Sequence, residues 1–71
     1  MTTHKITIKA NGQAFEIDAS TRLHDFLQTL KLTPTNVVVE RNKCALTPLE
    51  SKNTILEDGD RLEIVRIVAG G

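Results

Sequence analysis

Tryptophan and tyrosine are absent from this chain, and cysteine, methionine and proline are scarce. With Cys44 as the single cysteine, no intramolecular disulfide can staple the fold. His4 and His24 stand far apart without cysteine companions, so the spacing of a zinc site is missing too. The only aromatic residues are Phe15 and Phe26, too few for a base-stacking platform. Nine Lys plus Arg balance nine Asp plus Glu, which argues against a nucleic-acid partner, since those proteins carry a basic excess. No Gly-rich phosphate loop is present, so this chain is not expected to bind ATP or any other cofactor itself. No run approaches the roughly 18 apolar residues of a membrane helix, and the first residues lack an apolar secretory core. A soluble, cytoplasmic protein with no membrane partner is the expectation. Seventy-one residues without a linker or repeat make one small domain, 1–71, whose stability must come from apolar burial.

What is present is a pair of periodicities. Lys5-Ile6-Thr7-Ile8-Lys9 alternates with period two, predicting a half-buried strand with Ile6 and Ile8 inward. Asn11-Gly12 is the strongest short hairpin signal, because a type I′ turn needs positive φ at both central residues. Phe15 and Ile17 then alternate with Glu16 and Asp18 as a second, antiparallel strand. The period changes at Leu23, Phe26, Leu27 and Leu30, one stripe of an amphipathic helix of about eleven residues. Ser20 or Thr21 is the expected N-cap, Asp25 sits near the positive end, and Lys31 and Thr33-Pro34 close the helix. Val37-Val38-Val39-Glu40 predicts a well-buried third strand, Arg41-Asn42-Lys43 a turn, and Cys44-Ala45-Leu46 a short edge strand ended by Pro48. Residues 50–56 read as irregular or a single helical turn. Glu57-Asp58-Gly59-Asp60 reads as a solvated acidic turn, and 61–68 as the last strand. The sum is an α+β fold, a mixed four- to five-stranded sheet with one helix on one face, the order a β-grasp domain requires.

Chemistry is sparse along this chain. Cys44 has no visible activating neighbour, and His24 flanks the leucine stripe as a boundary residue. The acidic turn has too few carboxylates for a Ca²⁺ loop, so no metal site is expected. Asp58 and Asp60 are left as a charged rim for a basic partner. The Ala69-Gly70-Gly71 ending is the more informative feature. Two residues without Cβ make a thin thread that can enter a narrow channel, with a carboxylate at its tip. Adenylation would give that carboxylate a leaving group, and a sulfur nucleophile could then displace it. In the last strand Leu62, Ile64 and Arg66 share one face, which turns Val65 and Ile67 to the opposite one. An exposed apolar patch leading into a flexible tail, 69–71, is expected there as a docking surface.

Val37-Val38-Val39-Glu40-Arg41-Asn42, Pro48, Asp58-Gly59-Asp60-Arg61-Leu62-Glu63-Ile64-Val65 and the terminal Gly70-Gly71 resemble the ubiquitin-like sulfur carriers of thiamine biosynthesis, the ThiS family. The likeness covers nearly the whole chain. It implies that an E1-like adenylyltransferase, using ATP, activates Gly71, and that sulfur from a donor such as a cysteine desulfurase converts it to a thiocarboxylate. It further implies that thiazole synthase receives the sulfur, and that the chain is not itself an enzyme. Gly70 and Ala69 would form the slender tail, with Val65 and Ile67 docking the partners. Lys43 stands where many members carry glycine, and Ala69 replaces a further glycine often seen there. Three other readings stay open: the small subunit of molybdopterin synthase, a ubiquitin-like protein modifier, and an interaction domain with an incidental diglycine.

Overall fold

Each apolar period becomes an element in the computed structural model, which describes residues 4–67. The elements are β1 (Lys5–Ala10), β2 (Gln13–Asp18), α1 (Leu23–Thr29), a 3-10 turn (Pro34–Asn36), β3 (Val37–Arg41), β4 (Cys44–Leu46), α2 (Pro48–Asn53) and β5 (Arg61–Arg66). Asn11 and Gly12 join β1 to β2 with φ of 51° and 82°, the two positive values a type I′ turn demands. Asn42 and Lys43 make an equally tight turn between β3 and β4, at φ of 53° and 73°. The sheet order is β2-β1-β5-β3-β4, with β1 and β5 parallel and every other pair antiparallel. The last strand thus occupies the centre, between two hairpins. This is the mixed sheet and helix of a β-grasp domain.

The leucine stripe of α1 covers the sheet. Leu23, Phe26 and Leu27 are buried with Ile8, Ala10, Val37, Val39, Leu56 and Leu62. Phe15 meets Phe26 edge to face, ring centroids 5.2 Å apart, a geometry that adds about 0.5–1.5 kcal/mol beyond area burial.

The ends of α1 differ from expectation. The helix has seven residues, and its N-cap is Arg22, with no side-chain cap. The Thr21 hydroxyl donates to the Asp18 carbonyl instead, and Ser20 adopts a left-handed φ of 73°. Backbone from the second half of the chain does the capping: Leu23 N–H donates to the Thr54 carbonyl and Leu56 N–H to the Thr21 carbonyl, both at 2.9 Å. At the other end Lys31 N–H bonds the Gln28 carbonyl and Leu32 N–H the Leu27 carbonyl, a Schellman motif with Lys31 at φ 60°. Lys31 therefore closes α1 through its backbone conformation.

Residues 48–53 form a helix that the strand-breaking reading of Pro48 concealed. Thr47 and Glu50 make a reciprocal capping box: Glu50 N–H donates to Thr47 Oγ1 (3.1 Å) and Thr47 N–H to Glu50 Oε1 (2.9 Å). Pro48 at the first turn costs nothing, because that N–H has no helical partner anyway. The expected well-buried Val37–Val39 run also alternates: Val37 and Val39 face the core, and Val38 faces outward.

Candidate functional site

The exposed apolar patch predicted on the last strand is present. Ile67 N–H donates to the Asn36 carbonyl, which fixes the register, and Val65 lies directly opposite Val38. With Leu62 buried beneath α1, the strand's period of two turns Val65 and Ile67 to the other face. They are 62% and 54% exposed, and Val38 is 45% exposed. Val38 joins the patch because β3 alternates, a partner the sequence pattern hid. Two residues farther from the tail, Glu40 and Glu63 oppose each other on the same face. Like charges placed directly opposite repel, so this pair needs cations nearby. Lys43 and Arg61 share a depression with these two glutamates. Ala69, Gly70 and Gly71 lie outside the described residues.

The acidic turn is structural rather than a rim, which corrects the expectation for Asp60. Asp60 is buried, and its carboxylate is nearly saturated. Oδ2 accepts from Arg41 Nε (2.9 Å) and from the Glu57 N–H (2.9 Å), while Oδ1 accepts from Asn42 Nδ2 (3.1 Å). Burial disfavours the charged form. The Glu57, Asn42 and Arg41 hydrogen bonds outweigh it and hold the Asp60 carboxyl below its ordinary range. Asp58 is exposed, but its Oδ1 accepts from Thr7 N–H at 2.8 Å. Gly59 N–H donates to the Thr7 carbonyl and Lys9 N–H to the Asp60 carbonyl, so the turn is laced to β1. Gly59 takes φ 85°, a conformation that favours glycine. Together these bonds seat Arg61, the first residue of β5, and so fix the register at which the strand enters the sheet.

A second device fixes β5 farther along. Asn11 N–H donates to the Leu62 carbonyl. Its side chain then bonds Ile64 twice: Ile64 N–H donates to Asn11 Oδ1 (2.8 Å) and Asn11 Nδ2 to the Ile64 carbonyl (3.1 Å). The amide group acts as one more peptide of β1. Sequence reasoning assigned Asn11 to the turn alone.

The remaining candidates stay apart. Cys44 is exposed at the start of β4. His24 is half-buried on α1, and its Nε2 has no hydrogen-bond partner among the described residues. Among the described residues no three His, Cys, Asp or Glu converge as metal ligands, and no helix is long and apolar enough to cross a membrane.

Comparison with known proteins agrees with this geometry. The chain is 28% identical to the crystal structure of a thiamine biosynthesis protein (ThiS) from Geobacter metallireducens, which it matches with a TM-score of 0.75 over 93% of this chain and 100% of that one. It is 33% identical over 64 residues to a thiazole synthase of Magnetococcus marinus, a match covering 90% of this chain. The chain spans only 20% of that protein's length. An uncharacterized protein, ycf40, of Pyropia yezoensis is 35% identical over 66 residues and 93% of each chain. The ThiS family model matches residues 6–71, from the first inward isoleucine through the diglycine, and on that match the chain belongs to the ThiS family.

Proposed function

We propose that this chain is a sulfur carrier of thiamine biosynthesis whose working group is the carboxylate of Gly71. The observation that carries the reading is the family match across residues 6–71, which takes in Gly70 and Gly71. In the first step a Gly71 carboxylate oxygen attacks the α-phosphorus of ATP, held by an E1-like adenylyltransferase, and pyrophosphate leaves. A persulfide sulfur, supplied through a cysteine desulfurase, then attacks the acyl carbon and displaces AMP. A thiol cleaves the resulting S–S bond, leaving as a disulfide and freeing the thiocarboxylate. Thiazole synthase is the proposed acceptor of that sulfur. A relative named thiazole synthase contains a stretch similar to 90% of this chain, which supports that choice over molybdopterin synthase.

The described residues supply docking and orientation in this scheme. Val65, Ile67 and Val38 offer an apolar surface that leads toward the tail in sequence, with a rim of mixed charge from Glu40, Glu63, Lys43 and Arg61. ATP and catalytic groups belong to the partners. The test is intact-mass measurement of the protein produced together with its adenylyltransferase and a cysteine desulfurase. Replacement of one C-terminal oxygen by sulfur is expected, and Gly71 deletion should abolish it. An unchanged mass in the wild type overturns the reading, and a dehydrated adduct to lysine assigns a modifier instead.

A further inference from the structure

The register of the sheet leaves one strand edge open beside the tail. In the antiparallel β3–β5 pair, Ile67 N–H bonds Asn36, so residues 63, 65 and 67 turn their backbone groups toward β3. Leu62, Ile64 and Arg66 turn theirs the other way, toward β1. The Leu62 carbonyl is taken by Asn11 N–H, and both Ile64 groups by the Asn11 side chain. There β1 ends, since its pairing with β5 stops at Ala10 and Leu62. The next rung, the N–H and C=O of Arg66, faces past the hairpin tip, and among the described residues no strand lies opposite it.

The surroundings of that rung specify an occupant. On the helix side lies a groove of about 420 Å³, walled by Phe15, Leu30, Leu32 and Ile64 and crossed by Arg66. Beside it a second groove, about 410 Å³, brings Lys31 and Arg66 together. Among the described residues no carboxylate lines either groove. Among the described residues neither Lys31 nor Arg66 takes part in an ion pair. An open backbone rung, an apolar floor and two uncompensated cations fit an extended segment with an apolar side chain and a neighbouring carboxylate.

We propose that Arg66 is the pairing site for a strand added by the adenylyltransferase, an extended acidic segment that holds β5 and the tail beyond it in line. This rests on the function proposed above. Activation requires the carboxylate to be held still against ATP, and pairing at Arg66 fixes the strand that leads to it.

Proline at position 66 tests the idea, because it deletes an N–H that the fold does not use and suits an extended φ. Arg66→Ala is the reference that removes only the side chain. Binding to the purified adenylyltransferase is measured by calorimetry for wild type, Arg66→Ala and Arg66→Pro, with thermal melts of each. The expected result is that Arg66→Ala weakens binding several-fold and Arg66→Pro at least tenfold beyond it, with unchanged melting. Equal affinities for the two variants overturn the proposal. Amide exchange on the wild type gives an answer even where Arg66→Pro folds poorly: the Arg66 N–H should exchange freely in the isolated protein and slow at least tenfold in the complex. An Arg66 N–H that stays unprotected in the complex overturns the proposal, as does protection in the free protein that rises with its concentration, which would assign the edge to a second copy. Absence of wild-type binding would instead remove the function reading itself.

Discussion

Asp60→Asn should destabilise the protein more than any other isosteric change on its surface loops. The Asp60 side chain is 6% exposed and that of its partner Arg41 26%. One carboxylate oxygen takes two donors and the other takes one, so an amide nitrogen placed at either position meets a donor. Breaking a buried ion pair from one side costs about 3–5 kcal/mol. Arg41 is partly wet and can turn toward Glu57, whose Oε2 lies 3.9 Å away, so the expected cost falls to about 2–3 kcal/mol. A 71-residue domain has roughly 4–10 kcal/mol in all, so this is a large share. It corresponds to a fall in melting temperature of about 8–24 °C.

The pH dependence follows from the direction of the Asp60 shift. Its carboxyl is held below the ordinary range in the folded state, so the unfolded chain takes up the proton first. The contribution is therefore complete above the ordinary carboxylate pKa of about 4 and is lost as pH falls through the lower native value. Urea unfolding of wild type and Asp60→Asn should show the full difference at neutral pH and convergence in acid. Glu50, whose carboxyl is also lowered by its bonds to Thr47, is common to both proteins and cancels in the difference. A penalty under about 0.5 kcal/mol at neutral pH, or one undiminished near pH 2, refutes the reasoning.

Three further outcomes are expected. Phe26→Ala, in the middle of the core, should cost about 3–5 kcal/mol, a fall in melting temperature of about 12–40 °C read by far-UV circular dichroism. Lys43→Gly should stabilise the protein by about 0.5–1 kcal/mol, because it relieves a left-handed residue in the β3–β4 turn; a lower urea midpoint would contradict this. Val65→Thr, which keeps the β-branch, should leave the melting temperature nearly unchanged and weaken binding to the adenylyltransferase several-fold, while equal affinity would remove Val65 from the docking surface.

How far the sequence carried depends on the range of each interaction. The hairpin of β1 and β2, the α1 stripe and the outward turn of Val65 and Ile67 were legible, because each is written in neighbouring residues as a period or a turn pair. Asp60 was misread because its partner Arg41 is nineteen positions away, and a run of acids looks solvated when the cation is out of view. The Ser20 or Thr21 cap was plausible locally. The backbone of Thr54, more than thirty residues later, had already taken the first helical N–H. The α2 helix was different: Thr47, Pro48 and Glu50 carried a complete local signal, outvoted by reading the proline only as a strand breaker. For the functional surface, the alternation that put Val65 outward was readable. Its neighbour Val38 depended on the pairing register of two strands, which period alone does not fix.

Placing β5 in the middle of the sheet has a consequence for how the protein is made. The β1–β2 ribbon and the β3–β4 ribbon touch the same strand but are not paired with each other. During synthesis neither half can complete a sheet until residues 61–66 have emerged. A chain cut short before them has two separate two-stranded ribbons, each too small to be stable alone. The sheet therefore closes only when the strand that bridges both ribbons has been made.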